Sequence, residues 1–391
     1  MMIEKCTFCG EKKNVLEGQY GFICSDCCEM FHQTFQSYRV DSKHTDTSIP
    51  TPLQLKEMLD EYVVGQEEAK RIISVAVCNH LKRLRMGNNM IEKSNILLIG
   101  PTGCGKTHLM STVSSILNLP MITVDSTNFT QVGYVGKDAS SILQELYIKS
   151  DCDIEKCQKG IVYVDEIDKL VVKTTAHDEK DINGTGVQQN FLKMMEGGVH
   201  TFKMTGMQGP YDVSVDTSNI LFVFGGAFVG LQNELKQETR HIGFMAAAAS
   251  TNSIPQIKEI DHDDIIKYGF IPEFVGRIPV IVSMNELSRK DLHDILTKTP
   301  RSIINQYQKL FAMDNISLSF DDALLDDIVD SVLQKKTGAR GLKGLLEKNM
   351  MEVMFEASLH NNVKKIIIDK KSLSKPKLAF EAETVAMTNE G

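Results

Sequence analysis

The chain has 391 residues, of which 42% are hydrophobic and 24% charged, and its formal net charge is −8. A chain of this length holds two or three domains, and its acidic balance argues against a broad nucleic-acid-binding surface, although a local basic channel stays open. No apolar run reaches membrane-spanning length and no signal-peptide pattern begins the chain, so we expect a cytoplasmic protein without membrane or nucleic-acid partners.

The chain has nine cysteines, and four of those near the N-terminus have the spacing of a zinc site. Two C-x2-C pairs, Cys6 with Cys9 and Cys24 with Cys27, are separated by 14 residues. Four thiolates at this spacing favour a closed tetrahedral Zn²⁺ site over free thiols, with Cys28 as a bystander or a competing fifth thiol. So short a segment does not fold reliably without such a cross-link, so we predict a zinc-binding module over residues 1–40.

Beyond this module, the pattern predicts a linker and then alternating strands and helices. Residues 41–55 are rich in Ser, Thr, Asp and His, which favours a flexible linker, and residues 53–86 have a helical pattern interrupted at Gly65. The alternation that follows predicts a mostly parallel sheet with helices on both faces. The predicted strands are 95–99, 120–124, 161–164 and 219–224, and the predicted helices are 107–117, 138–148 and 186–196.

The remaining segments divide into long loops and a helical C-terminal region. Mixed polar composition without a clear period predicts surface loops over 171–185, 200–215 and 235–262. From about residue 285 the periodicity is helical, which predicts a smaller, mainly helical domain. Its predicted elements are helices over 289–312, 321–335 and 338–359 and a short strand over 363–368.

A complete phosphate-loop motif lies between the first predicted strand and its helix. Glycines let backbone N–H groups surround a triphosphate, and the helix N-terminus adds partial positive charge. Lys106 is expected to reach the β- and γ-phosphates, and the Thr107 hydroxyl to bind Mg²⁺. We therefore predict ATP binding rather than a simple glycine turn. The residues of the motif are Gly100, Pro101, Thr102, Gly103, Cys104, Gly105, Lys106 and Thr107.

The second half of the predicted site is the acidic pair that follows the buried strand Ile161–Val164. Asp165 would hold Mg²⁺, directly or through water, and Glu166 would orient or deprotonate the attacking water. Taken alone, such a pair is better explained as a helix N-cap after a buried strand. Together with the phosphate loop, it predicts hydrolysis with Glu166 and Lys106 as catalytic residues.

Further motifs resemble those of the ClpX family of AAA+ protein unfoldases, over nearly the whole chain. The matching segments are Tyr62-Val63-Val64-Gly65-Gln66, Gly133-Tyr134-Val135-Gly136, Asp165-Glu166-Ile167-Asp168-Lys169, Ile242-Gly243-Phe244, Glu273-Phe274-Val275-Gly276-Arg277 and Gly338-Ala339-Arg340-Gly341. The resemblance implies an α/β AAA+ P-loop core over 56–284, a smaller helical domain over 285–380 and a tail over 381–391.

The resemblance also implies roles for individual residues. Val63 and Val64 would contact adenine, and Tyr134 and Val135 would line the axial pore of a homo-hexamer. Ile242, Gly243 and Phe244 would dock on the ClpP peptidase, instead of tucking into their own domain.

Two arginines have implied roles at subunit and domain boundaries. Arg277 would be an arginine finger that reaches the γ-phosphate of a neighbouring subunit. Arg340 would contact the phosphates from the helical domain, which would make the angle between the domains depend on the nucleotide.

The chain departs from the family pattern in three places. The family has an Arg-Lys-His element in a loop at the pore entrance. The corresponding stretch here, residues 203–211, is shorter than that loop and nearly uncharged. The resemblance therefore does not imply capture of acidic substrate termini. Cys104 replaces a small hydroxyl residue and could make activity sensitive to oxidation. The second pore loop is placed at residues 181–186, with an Asn-Gly turn before a helix as an equal alternative.

These expectations describe an ATP-driven unfoldase that threads proteins through its pore to ClpP and has no peptidase activity of its own. The zinc module would recruit substrates or adaptors. Two alternatives stay open: a remodeller that works without a peptidase, and a nucleotide-gated binding scaffold.

Overall fold

The computed structural model describes residues 2–18, 21–31, 49–87, 91–129, 139–171, 182–206, 209–231, 260–360, 363–369 and 377–380. The chain forms two compact units, which divide between Ile49 and Pro50. Among the helices in the described ranges, none has the length and apolar character needed to cross a bilayer.

The first unit is a small antiparallel sheet with a very small core. Its strands are β1 (Met2–Lys5), β2 (Lys12–Gly18) and β3 (Gly21–Cys24), and residues 25–31 are helical. Only Val15 and the cysteines 6, 24 and 27 are buried in its described part. The core of these described residues is too small to offset the entropy of folding, the condition under which small domains use a metal or disulfide cross-link.

The second unit contains the predicted parallel sheet, with strand order β10-β4-β9-β6-β5 and every pair parallel. The central strands are continuously apolar because both faces are covered, as is typical of parallel sheets. The strands are β4 (Ile96–Ile99), β5 (Met121–Asp125), β6 (Ile161–Asp165), β9 (Leu221–Gly226) and β10 (Val280–Ser283).

Alternate strand residues point into two separate cores, which confirms that helices cover both faces. Leu97 and Val162 pack in one core, while their neighbours Ile96 and Ile161 pack in the other. The helices are α1 (Pro52–Asp60), α2 (Glu67–Met86), α3 (Lys106–Leu117), α4 (Ala139–Lys149), α5 (Ile154–Cys157), α6 (Ile182–Glu196), α7 (His262–Tyr268) and α8 (Pro272–Gly276). Helix α1 begins inside the segment predicted as a linker, where Thr51 and Gln54 form a capping box.

The predicted loop over 200–215 is wrong where the structure describes it, because β7 (Val199–Gly206) pairs antiparallel with β8 (Gly209–Asp216). Phe202 and Val213 are buried on one face of the hairpin, while the alternate positions are exposed. Phe202 packs edge-on against Tyr147 of α4, with the two ring centroids 6.1 Å apart. The described residues of the weakly charged stretch, 203–206 and 209–211, thus lie in paired strands.

The placement of a second pore loop, or of an Asn-Gly turn, at residues 181–186 is also wrong where the structure describes it. Helix α6 begins at Ile182, so residues 182–186 form its first turn, and Asp181 lies outside the described residues. A Cβ on Gly184 would lie 2.5 Å from the carbonyl oxygen of Leu170. Gly184 therefore serves close packing of the helix on the preceding turn rather than a reversal of the chain.

The last part of the second unit, residues 285–380, is mainly helical and is called the helical part below. Its helices are α9 (Arg289–Thr297), α10 (Ile303–Met313), α11 (Asp322–Lys335) and α12 (Ala339–Ser358). The single helix predicted over 289–312 is wrong, because Pro300 cannot continue a helix and separates α9 from α10. The helices pack on a sheet of β11 (Ser317–Phe320), β12 (Val363–Ile368) and β13 (Lys377–Phe380).

Candidate nucleotide-binding site

A cavity of about 580 Å³ lies at the carboxyl end of the parallel sheet, against the helical part. This is the edge at which open α/β sheets bind ligands. The residues that line it come from the segment before α2, from the phosphate loop, from the end of β6 and from the helical part. They include Val63, Val64, Thr102, Gly103, Cys104, Gly105, Lys106, Thr107, Asp165, Glu166 and Arg340.

The phosphate loop has the backbone that its sequence predicts. Gly103 and Gly105 have φ of 80° and 101°, a region that side chains rarely adopt, and α3 begins at Lys106. The Lys106 ammonium group donates to the carbonyl oxygens of Gly100 at 2.6 Å and Pro101 at 3.1 Å. Gly100 and Pro101 therefore lie behind the cavity surface, where they hold the lysine.

The oxygen atoms expected to bind Mg²⁺ lie together. The Thr107 hydroxyl donates to the Asp165 carboxylate across 3.3 Å, which joins the start of α3 to the end of β6. A hydroxyl and a carboxylate are oxygen ligands of the kind that Mg²⁺ prefers, usually with water and phosphate oxygens completing the shell. The residues present thus fit the metal.

Glu166 has an exposed carboxylate on a tightly held backbone. Its φ of 58° is unusual for a residue with a side chain. Its N–H donates to Asp165 at 3.0 Å, and its carbonyl oxygen accepts from the buried Ser126 hydroxyl at 2.8 Å. Two residues on, the Asp168 carboxylate accepts from the backbone N–H groups of Ala227 and Phe228. This arrangement fixes the backbone from which the Glu166 side chain reaches the cavity wall.

A second cavity of about 340 Å³ lies on the other side of the acidic pair. Asp165, Glu166 and Arg340 line both cavities. The second one is otherwise lined by the end of β5 and the turn after it, including Asp125. The space beside Glu166 can hold water on the side away from the phosphate loop.

The Cys104 thiol is 4% exposed, and burial raises its pKa. Since oxidants react with the thiolate and not with the thiol, both observations lower the reactivity of this cysteine. They argue against the oxidation sensitivity expected from the sequence.

The segment before α2 is held by a charge cluster that the sequence pattern did not reveal. Lys70, only 2% exposed, pairs with Asp60 and Glu67 and donates to the carbonyl oxygen of Val63 at 3.2 Å. Hydrogen bonds from Lys56 and Lys70 lower the pKa of Glu67. The charges of the two lysines and the two carboxylates in this cluster thus neutralise each other. The hydrogen bond from Lys70 fixes the backbone of Val63 at the cavity wall. A lysine four residues into an amphipathic helix gives no sequence signal for this role.

The two predicted arginines occupy different positions. Arg340 is exposed at the start of α12 and faces the cavities, next to Ala339, whose N–H donates to the Gly103 carbonyl oxygen at 3.1 Å. Arg277 lines neither cavity; its side chain is 55% exposed, and its guanidinium pairs with Glu196 at 3.1 Å. The Arg277 carbonyl oxygen accepts from Asn95, which ties its backbone to the sheet.

The predicted zinc ligands lie together in the first unit. The sulfur atoms of Cys6, Cys9, Cys24 and Cys27 all lie within 4.8 Å of one another, and those of Cys9 and Cys24 are 3.7 Å apart. A tetrahedron with Zn–S bonds of about 2.3 Å has edges of about 3.8 Å, so the site fits Zn²⁺. Cys28 is exposed and does not belong to the cluster.

We expect Cys9→Ser to remove the zinc and to unfold the first unit, since metal binding there supplies folding free energy. Metal analysis of the full chain should fall from about one zinc ion to a small fraction of one, and proteases should then cut within residues 1–40. Cys28→Ser is the matched control and should retain the metal. Equal zinc contents in the two variants would contradict the four-thiolate site.

Several predicted functional residues lie outside the described residues. They are Tyr134 and Val135 of the pore loop, and Ile242, Gly243 and Phe244 of the docking segment. The turn Ser126–Asn128, which contains the hydroxyl that binds the Glu166 carbonyl oxygen, ends shortly before the pore-loop sequence.

Comparison with known proteins places the chain in a family. Residues 91–281 match the family described as AAA domain (Cdc48 subfamily), and residues 287–368 match the C-terminal, D2-small domain of ClpB protein. Among curated proteins, relatives named "ATP-dependent Clp protease ATP-binding subunit ClpX" cover nearly the whole chain. The one from Treponema denticola is 41% identical over 97% of both chains, and the one from Borrelia duttonii 40% identical over 95% of this chain and 91% of its own. With its AAA core, helical C-terminal part and four-cysteine cluster, the chain belongs to the ClpX family.

Proposed function

We propose that this protein hydrolyses ATP in a hexameric ring, uses the energy to unfold proteins, and passes them to a ClpP peptidase. The observation that carries the proposal is the cavity that joins the phosphate loop, the acidic pair and Arg340. The names of the relatives, which describe an ATP-binding subunit of a protease, support the same reading. The protein itself would contribute no peptidase activity.

In this mechanism ATP binds with its base beside Val63 and Val64 and its phosphates on the loop that ends at Thr107. Thr107 and Asp165 would hold Mg²⁺, and the metal would neutralise developing charge on the phosphates. Glu166 orients a water molecule from the second cavity and accepts its proton. The rigid backbone of Glu166 keeps the carboxylate in place for this step.

Arg277 acts on the neighbouring subunit in this proposal. Its side chain lines neither cavity of its own chain, and its backbone is tied to the sheet. In a ring, a fixed and half-exposed arginine can reach across a subunit boundary and stabilise charge on the transferred phosphoryl group. The Glu196 carboxylate would hold it until the neighbour is in place.

Hydrolysis has to be converted into a pull on the substrate. The hydrogen bond from Ser126 to the Glu166 carbonyl oxygen connects the catalytic residue to the turn that precedes Tyr134 and Val135. A shift of Glu166 after the chemical step, when phosphate leaves, would thus move the root of the pore loop. A native domain is stable by about 5–15 kcal/mol, so repeated pulls can unfold it.

The proposal is tested by degradation of a folded fluorescent reporter. The reporter carries an unstructured C-terminal tag, in acidic, neutral and basic versions, and is mixed with this protein, ClpP and either ATP or ADP. We expect loss of fluorescence and release of peptides with ATP only. Since residues 203–211 are weakly charged, we expect the acidic tag to have no advantage.

Deletion of residues 242–244 separates the alternatives. Docking at this segment predicts that fluorescence is still lost while peptides are no longer released. Unchanged peptide release would contradict the docking assignment. Fluorescence loss without peptides in the unaltered protein would indicate a remodeller, and ATP-dependent binding of the reporter without unfolding would indicate a scaffold.

A further inference from the structure

A short junction connects the sheet to the helical part. Strand β10 ends at Ser283, and the Met284 N–H still donates to the carbonyl oxygen of Ile99, at the end of β4, at 2.7 Å. Helix α9 begins at Arg289, with Ser288 as its N-cap. The angle between the two parts therefore depends on the backbone of the few residues around Asn285.

The side-chain amide of Gln66 forms hydrogen bonds with both the N–H and the carbonyl oxygen of Asn285 in this junction. Its amide oxygen accepts from the Asn285 N–H at 2.9 Å, and its amide nitrogen donates to the Asn285 carbonyl oxygen at 2.8 Å. The same nitrogen also lies 3.4 Å from the carbonyl oxygen of Cys104 in the phosphate loop. One side chain thus connects the phosphate loop to the junction.

The backbone conformation of Gln66 is strained, so holding its side chain at the junction costs conformational free energy. The residue is the N-cap of α2 with φ of 57°, and its side chain makes no capping hydrogen bond. Ser, Thr, Asp and Asn are preferred at this position, and the left-handed conformation is unfavourable for a residue with a side chain. A strained residue whose side chain serves a distant contact indicates a functional constraint.

Gln66 also belongs to the segment that lines the cavity. Val63 and Val64, three and two residues earlier, contribute to the cavity wall. A Cβ on Gly65, the intervening residue, would lie 3.2 Å from the Asp291 carboxylate in α9. A ligand that presses on Val63 or Val64 therefore displaces a segment that touches the helical part directly.

We propose that Gln66 is a positioning residue that couples occupation of the ATP cavity to the angle between the sheet and the helical part. Both hydrogen bonds to Asn285 form together only when the junction has one orientation relative to the segment before α2. When ATP binds and orders the segment before α2, it therefore favours this one orientation of the junction. In the same orientation, Arg340 of the helical part lies at the phosphates. The inference rests on the proposed function only in requiring that the cavity binds ATP.

The test compares Gln66→Ala and Gln66→Glu with Gln144→Ala in the full chain. Gln66→Glu keeps an acceptor for the Asn285 N–H and loses both donor contacts. Gln144 likewise donates to a backbone carbonyl, that of Lys203 at 3.2 Å, in a contact between α4 and the hairpin. Spin labels introduced through noncanonical amino acids at the exposed positions 149 and 335 report the distance between the two parts, in rings where labelled chains are diluted with unlabelled ones.

We expect ATP to narrow the distance distribution of the unaltered protein and of Gln144→Ala, but not that of Gln66→Ala, with Gln66→Glu in between. Loss of two neutral hydrogen bonds should raise the KM for ATP about five- to tenfold, with kcat changed less than about twofold. Thermal unfolding confirms that each variant is folded.

Two outcomes would overturn the inference in different ways. If the unaltered protein binds ATP and its distances narrow, but Gln66→Ala behaves like Gln144→Ala, the coupling role of Gln66 is wrong and the proposed function stands. If the unaltered protein binds no ATP, the proposed function fails and the inference fails with it.

Discussion

Glu166→Gln is expected to lower kcat for ATP hydrolysis by about 100- to 10,000-fold, the usual contribution of a general base, with ATP affinity nearly unchanged. The amide has almost the same shape as the carboxylate but cannot accept the proton of water. The backbone hydrogen bonds to Asp165 and Ser126 do not involve the side chain, so they persist. Steady-state hydrolysis and equilibrium binding of ATP measure the two quantities separately.

Glu92→Gln is the matched control for this prediction. Glu92 is also an exposed glutamate, and it lines neither cavity. We expect it to hydrolyse ATP at the unaltered rate. A Glu166→Gln protein that retains more than about a tenth of the rate would exclude Glu166 as the base, since loss of that function costs more.

Arg277→Ala should have a comparably large effect, a loss of about 1,000-fold or more in kcat, as arginine fingers contribute. Its ion pair with Glu196 is exposed and contributes little to stability, so the variant should fold normally. Arg289→Ala is the control, because Arg289 is half exposed and pairs with Asp326 and Asp330. It should retain hydrolysis.

Mixed rings decide whether Arg277 acts on its own chain or on a neighbour. Co-assembly of equal amounts of Arg277→Ala and Glu166→Gln chains places intact Glu166 opposite intact Arg277 at some boundaries. Random mixing should restore about a quarter of the unaltered activity, although each variant alone is nearly inactive. No recovery in verified mixed rings would show that the arginine acts within its own chain or not at all.

The parallel sheet and phosphate loop were predictable because their signals are local. The apolar run before Gly100, the glycines and the Lys-Thr pair lie within a dozen residues, and the structure confirms each element. The hairpin β7–β8 was missed although its signal is present. Phe202, Val213 and Val215 alternate with other residues, but the mixed polar composition of the stretch hid this alternation and made it resemble a loop.

Contacts between distant parts of the chain were not predictable from the sequence. Gln66 and Asn285 are 219 positions apart, and no pattern in either segment indicates that an amide would meet the junction backbone. The hydrogen bond from Ser126 to the Glu166 carbonyl oxygen was likewise not predictable, because no motif in the sequence marks a serine that bonds to a backbone 40 positions away. These partners follow only from the tertiary arrangement.

The close contact between the phosphate loop and the start of α12 restricts which substitutions the protein can accept at two glycines. A Cβ on Gly103 would lie 2.6 Å from the Thr337 carbonyl oxygen, and one on Gly338 would lie 2.7 Å from that of Gly103. Neither clash is relieved by trimming the other residue, since both involve main-chain atoms. The two glycines therefore constrain each other without any side chain, and a substitution at either would wedge the helical part away from the nucleotide.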